Sequence, residues 1–179
     1  MCISTASDTT MQIIPLLENK ADELLAKTYT IHFRRESYTI CPKDHGYTFE
    51  WSNRKNALGD CTKNSRVVRL SKFLVLNSVS ELDVWIDTIL HEIAHAIDYL
   101  IRKKSNHDRI WKHIAKTIGA DPSRTTELKT TGVGFKYTAK CPGCEKTVHF
   151  SRIWKNRKAC GKCSPRFDER YVFVIYKNY

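Results

Sequence analysis

His91-Glu92-Ile93-Ala94-His95 sets two imidazoles four residues apart, with a carboxylate beside the first. On a helix, residues four apart lie one turn above each other. His91 and His95 can therefore reach one metal ion from the same face, and Glu92 stands where a carboxylate can draw a proton from water. This pattern points to zinc-assisted hydrolysis of a peptide bond. A catalytic zinc normally takes three protein ligands, so one more must come from elsewhere. Three residues qualify by type and place. His107 opens the next helical segment, His113 lies inside it, and Asp98 follows His95 by three residues, where it can also pair with Arg102.

A second set of ligands lies near the C-terminal end. Cys141-Pro142-Gly143-Cys144 and Cys160-Gly161-Lys162-Cys163 flank fifteen residues. Four thiolates complete a tetrahedral zinc and leave no open position, which makes this a structural site. In each tight knuckle the backbone amides can face the sulfurs. The C-x-x-C pairing and the lack of a secretory pattern favour metal thiolates over disulfides. They fit a reducing, intracellular setting, cytoplasmic or nucleoid-associated. Cys2, Cys41 and Cys61 read as small apolar residues or free thiols.

These residues need elements to position them. Apolar residues recur at Leu82, Trp85, Ile86, Ile89, Leu90, Ile93, Ala94, Ile97 and Leu100, a helical stripe that carries the histidine motif. Thr88, His91, His95, Asp98 and Arg102 follow a different line on that helix. Ser78-Val79-Ser80-Glu81 reads as its capping box. A second helix follows, with Ser105 or Asn106 as N-cap, an apolar face of Ile110, Trp111, Ile114, Ala115 and Ile118, and Gly119 as its stop. Upstream, residues 11–30 are helical in pattern. Residues 31–50 read as strand and turn, with a turn at Asp44-His45-Gly46, and 66–76 as a short strand leading into something else. Residues 1–10 are small and polar and are expected to be poorly ordered. In the C-terminal module, strands are expected at 135–140, 147–153 and 171–177. The fold class is α+β. The expected domains are a catalytic unit at 11–122, a Thr-rich connector at 123–134 and a β-rich four-cysteine module at 135–179, whose metal supplies much of its folding energy.

The charge is one-sided. Residues 1–90 carry eleven Lys and Arg against eleven Asp and Glu, whereas residues 91–179 carry nineteen against eight, so the whole excess of +11 lies in the second half. Such asymmetry points to a polyanion, most simply nucleic acid. Arg152, Trp154, Lys155, Arg157 and Lys158 mix cations with an aromatic ring, which suits single-stranded or partly single-stranded DNA. Trp154 is equally suited to packing the module's small core. No apolar run is long enough to span a bilayer, so no membrane role is expected.

Taken together, the chain resembles the SprT-like family, which includes the Spartan DNA–protein crosslink proteases. Three blocks carry the resemblance, in the same order along residues 11–165. They are Asn53-Arg54-Lys55-Asn56-Ala57-Leu58-Gly59-Asp60-Cys61 with Val68-Arg69-Leu70-Ser71, then Leu90-His91-Glu92-Ile93-Ala94-His95-Ala96, then the four-cysteine ribbon. The short bacterial or viral form is the nearest in type. The resemblance implies a minimal gluzincin-like metalloprotease domain followed by a zinc ribbon. It implies His91, His95 and His107 as ligands of a catalytic zinc, with His107-Asp108-Arg109-Ile110-Trp111 matching the block that supplies the third. Asp108 departs from the glycine usual there. It further implies Glu92 as general base and protein bound or crosslinked to DNA as substrate. The alternative reading is a zinc-dependent DNA-binding or transcription-associated module with little or no proteolysis.

Overall fold

The apolar stripe of residues 82–100 forms one continuous helix, against which much of the first unit packs. The computed structural model describes residues 6–78, 81–123 and 134–178. It divides into two compact units, Met1–Lys129 and Thr130–Tyr179. The connector expected at 123–134 lies almost wholly outside the described residues.

The first unit begins with helix α1 (Ala6–Ala26). Part of the segment expected to be disordered, Ala6–Thr10, is thus helical. A hairpin follows, β1 (Tyr29–Phe33) and β2 (Glu36–Ile40), antiparallel with Phe33 opposite Glu36. A 3-10 turn at Lys43–His45 ends on Gly46 at φ 80°, the left-handed conformation glycine adopts freely. Strands β3 (Thr48–Ser52), β4 (Gly59–Thr62) and β5 (Val67–Ser71) then form a sheet in the order β3-β5-β4. β5 is central, parallel to β3 and antiparallel to β4. Val67, Val68 and Leu70 are buried, as a strand covered on both faces requires. Helix α2 (Lys72–Leu76) leaves β5 directly, capped by the Ser71 hydroxyl, which accepts the Leu74 N–H at 3.1 Å.

Helix α3 (Leu82–Arg102) is enclosed more completely than one apolar stripe implies. Trp85, Ile89, Ile93 and Ile97 have no exposed surface, but Thr88, Glu92 and Asp98 are buried too. It packs on α1, β4, β5 and α4, so it has little polar side left. Ile86, Leu90 and Leu100 are only half-buried. The expected capping box does not form. The helix starts at Leu82 with Glu81 extended at the cap position and no side-chain cap bond; Val79 and Ser80 lie outside the described residues. Helix α4 (Arg109–Ile118) buries Trp111, Ile114, Ala115 and Ile118 and stops at Gly119, φ 92°. Its N-cap is neither Ser105 nor Asn106 but Asp108, whose carboxylate accepts the Ile110 and Trp111 N–H groups. The chain stays irregular through 103–108, and only Asp108 stands immediately before the first helical turn.

The second unit is a three-stranded antiparallel sheet, β7-β6-β8, of β6 (Tyr137–Lys140), β7 (Thr147–Phe150) and β8 (Val174–Lys177). Its buried residues include Phe135, Ala139, Cys141 and Cys160. So small an apolar set needs a further source of stability. Among the described residues, no helix is long and apolar enough to cross a membrane.

Candidate metal centres and active site

His91 and His95 project from one side of α3, and the 103–108 segment turns back to bring His107 onto them. The His91 and His107 Nε2 atoms are 2.9 Å apart, and those of His95 and His107 3.2 Å apart. One ligand atom from each of the three lies within 4.8 Å of the others. Nitrogens held about 2.0–2.1 Å from a zinc ion at tetrahedral corners stand a little over 3 Å from each other, so this donor set fits one ion. The two other candidates point elsewhere. His113 is exposed, with Nε2 3.0 Å from the His32 carbonyl. Asp98 is fully buried and receives Arg102 Nε at 2.5 Å and Nη2 at 2.6 Å.

Two features hold the imidazoles in place. Trp111 lies against all three, with ring centroids 4.6, 4.9 and 4.5 Å from those of His91, His95 and His107. It is wholly buried, so it gives the site a rigid apolar floor. The second is a chain of charges. Arg102, fixed by Asp98, reaches on to Asp108 with Nη1–Oδ2 2.9 Å and Nη2–Oδ1 3.1 Å. A buried ion pair stripped of one partner costs about 3–5 kcal/mol, against about 1 kcal/mol for a lost N-cap. The Asp98–Arg102 bond therefore sets the geometry, and Asp108 answers to it. Asp108 thus ties the end of α3 to the start of α4 immediately beside His107. Arg102 and the Trp111 amide hold its carboxyl down at about 2. Ser105, expected as a cap, instead meets His95 Nδ1 at 2.7 Å. With Nε2 used as ligand, Nδ1–H donates there, which fixes tautomer and ring angle.

Burial, aided by the neighbouring imidazoles, keeps His91 and His95 neutral. His91 is lowered to about 4 by desolvation and then by His107, and His95 to about 3 by desolvation and then by His91 and His107. Neutral imidazole is the form that binds metal. Glu92 is only 7% exposed and is raised to about 8, first by burial and then by Asp60. A dication beside it works in the opposite direction.

The pocket over Glu92 has a volume of about 460 Å³ and is lined by the three histidines, Glu92, Tyr99, Cys61 and the 56–60 segment. Strand β4 forms one wall. A Cβ on Gly59 would come within 2.8 Å of the Arg69 carbonyl and 3.0 Å of Glu92 Cγ, so only glycine lets the strand lie this close. Ser71 holds the approach: its N–H donates to the Leu58 carbonyl at 2.7 Å and its hydroxyl to the Arg54 carbonyl. The Val68–Ser71 block therefore backs the Asn53–Cys61 block, whose residues 56–61 form the pocket wall.

In the second unit, Cys141, Cys144, Cys160 and Cys163 converge. The Cys141–Cys163 and Cys144–Cys160 Sγ separations are both 3.7 Å, and no disulfide joins them. Sulfurs about 2.3 Å from a tetrahedral zinc stand at about this spacing, so the four thiols fit it. The Gly143 N–H donates to Cys141 Sγ at 3.4 Å, as a knuckle predicts. Around it, Arg152 and Lys155 are exposed, whereas Arg157 pairs with Glu169 at 2.6 Å. Trp154 stacks on Phe150 with centroids 4.5 Å apart and carries the Lys158 ammonium 4.8 Å from its own. Its ring is thus part of the module's packing, and Lys158 occupies the space a base would stack in.

Sequence reasoning passed over Asp60, Ser105 as a partner of His95, and the role of Asp108. Each acts through a fold contact that no local spacing announces.

Residues 21–132 match the SprT-like family, and the chain belongs to it. It is similar to two proteins named germ cell nuclear acidic protein. The Drosophila melanogaster one is 30% identical over 109 residues, covering 55% of this chain and 10% of that protein. The Homo sapiens one is 24% identical over 161 residues, covering 82% of this chain and 23% of that protein. The chain thus spans less than a quarter of either relative. No solved structure matches it.

Two outcomes follow from this geometry. Asp108→Asn keeps an N-cap but loses the ion pair with Arg102, so it should lower zinc affinity about tenfold with little change in unfolding midpoint. Chelator competition measures this, and unchanged affinity would mean that Trp111 packing alone positions His107. The other outcome concerns pH. With metal removed, Glu92 keeps its proton in the fold up to about 8 but in the unfolded chain only to about 4.5. Its contribution to stability is thus full below 4.5 and is lost as pH rises through 8. The histidines act at the acid end, costing stability as pH falls below 6.5. Chelated Glu92→Gln should therefore gain on wild type steadily from pH 5 to pH 8 in urea melts followed by helical circular dichroism. A pH-independent difference would show that Glu92 is ionised in the fold.

Proposed function

We propose that the chain is a zinc-dependent endopeptidase acting on proteins bound or crosslinked to DNA, the DNA–protein crosslink repair type of activity. In this reading residues 11–122 are a gluzincin-like catalytic domain, 123–134 a connector and 135–179 a zinc ribbon. The observation that carries it is the convergence of His91, His95 and His107 beside a buried Glu92 at the floor of a pocket. Those three histidines would hold the catalytic zinc, and the four ribbon cysteines a structural one. Zinc, when bound, supplies a Lewis acid that polarises the scissile carbonyl and acidifies water.

The protein's own groups do the rest. Glu92 accepts a proton from the attacking water and returns it to the leaving amine. Its burial, with 7% of its surface exposed, limits the water that reaches it, so the transfer runs in a space of reduced dielectric. β4 pairs with β5 along one edge only, which leaves an edge beside Glu92 where an extended peptide can add as a further strand. Tyr99, on the pocket wall one turn beyond His95, carries a phenolic hydroxyl and is the candidate for stabilising the oxyanion.

DNA enters through charge. Residues 130–179 carry eleven Lys and Arg against three Asp and Glu. Arg152 and Lys155 are exposed there without an ion pair among the described residues. Arg157, Lys158 and Trp154 would join them at a single strand by exchanging their present partners for phosphate and base.

The deciding experiment is Glu92→Gln in a single-turnover assay on a protein crosslinked to an oligonucleotide. Cleavage should fall by about 10²–10⁴-fold while zinc content and DNA affinity stay at wild-type values. Equal cleavage by both would contradict the proposed mechanism at Glu92, and none by fully zinc-loaded wild type would leave a DNA-binding module without proteolysis.

A further inference from the structure

The ribbon does not hold all of the unpaired positive charge. On α4, Arg109, Lys112, His113 and Lys116 are all exposed and lie at i, i+3, i+4 and i+7, one face of the helix. The opposite face is the buried one. Arg109, Lys112 and Lys116 have no carboxylate partner among the described residues. These four residues line a groove of about 760 Å³ that starts at His107. Its lining carboxylate, Asp121, accepts the Ser123 N–H at 2.8 Å. On the other side of Arg109 and His113, a second opening continues to Arg34 in the β1–β2 turn. Asp108 also lines that opening, but its carboxylate is paired with Arg102, so a mainly basic track runs across the helix.

His107 also lines the pocket over Glu92. The imidazole is therefore a shared wall, with a pocket bearing Asp60, Asp87 and Glu92 on one side and the cationic groove on the other. We infer that the α4 groove binds the phosphodiester backbone of nucleic acid, so that nucleic acid passes directly beside the catalytic pocket. This rests on the proposed action at DNA-bound protein and extends it: the catalytic unit itself reads the nucleic acid, independently of the ribbon. The chemistry is selective between ligands. Cations one helical turn apart, about 5.4 Å, match a regular row of anions, and the groove beside Lys112 and Lys116 has no large aromatic ring to stack a base; Phe33 and Ile110 line only the adjoining opening. Recognition is thus of backbone, without base or strand preference.

The test is the salt dependence of binding to a labelled oligonucleotide, single-stranded and duplex. The proteins are wild type, Arg109→Gln/Lys112→Gln/Lys116→Gln, and Arg152→Gln/Lys155→Gln, each checked for unchanged circular dichroism and zinc content. Each lost phosphate contact lowers the slope of log affinity against log salt by about 0.7–0.9. The α4 variant should lose roughly two units of slope on the single strand and nearly three on the duplex, add to the loss in the ribbon variant, and cleave crosslinked protein more slowly. A wild-type slope in the α4 variant with a reduced one in the ribbon variant would overturn the inference and leave the DNA reading standing. No binding by wild type would overturn both. Displacement of the oligonucleotide from the α4 groove by polyglutamate at equal charge concentration would assign the groove to acidic polypeptide instead.

Discussion

Three imidazoles must be uncharged, close together and aimed at one point, and the first unit is organised around that demand. Two of them come free with a helix, because a four-residue step brings His91 and His95 onto one side of α3. The third does not. His107 belongs to an irregular segment, and its place depends on contacts made by its neighbours. Burial keeps the His91 and His95 rings neutral, at the expense of desolvating a region that also contains Glu92. A bound dication relieves that strain on both counts, since it uses the neutral imidazoles and favours the glutamate anion.

The Asp98–Arg102–Asp108 chain shows how such a site is built into a small fold. Asp98 has no exposed surface and Arg102 little, so their pairing is dictated by burial rather than by surface charge. Arg102 then has an edge left over, and Asp108 takes it while capping α4. One side chain thereby performs two tasks on either side of His107. The ribbon solves its smaller problem differently: four sulfurs at a common centre stand in for the core that fifty residues cannot supply.

Much of this was legible in the sequence, for identifiable reasons. The α3 and α4 patterns stood out because periodic apolar burial leaves a periodic sequence, and both C-x-x-C knuckles did because metal geometry fixes ligand spacing. Other features needed the fold. The parallel β3–β5 pair joins residues nineteen apart, such as Thr48 and Val67, and nothing local encodes it. Asp108 was passed over as a cap in favour of Ser105 and Asn106, which have equal intrinsic preference, because the helix start is set by the Arg102 contact. The expected box at Ser78–Glu81 failed since α3 begins one residue after Glu81. The α4 cations belong to no motif. Only the shared wall at His107 connects them to the site.

The central claim is that His107 completes a zinc site with His91 and His95. An anomalous difference map at the zinc edge, from crystals of the full chain, tests it most directly. The account predicts two peaks. One lies within about 2.1 Å of the Nε2 atoms of all three histidines, and the other within about 2.3 Å of the four ribbon sulfurs. A zinc peak on His91 and His95 with His113 or Asp98 as the third ligand, or no peak there in zinc-loaded crystals, would contradict it.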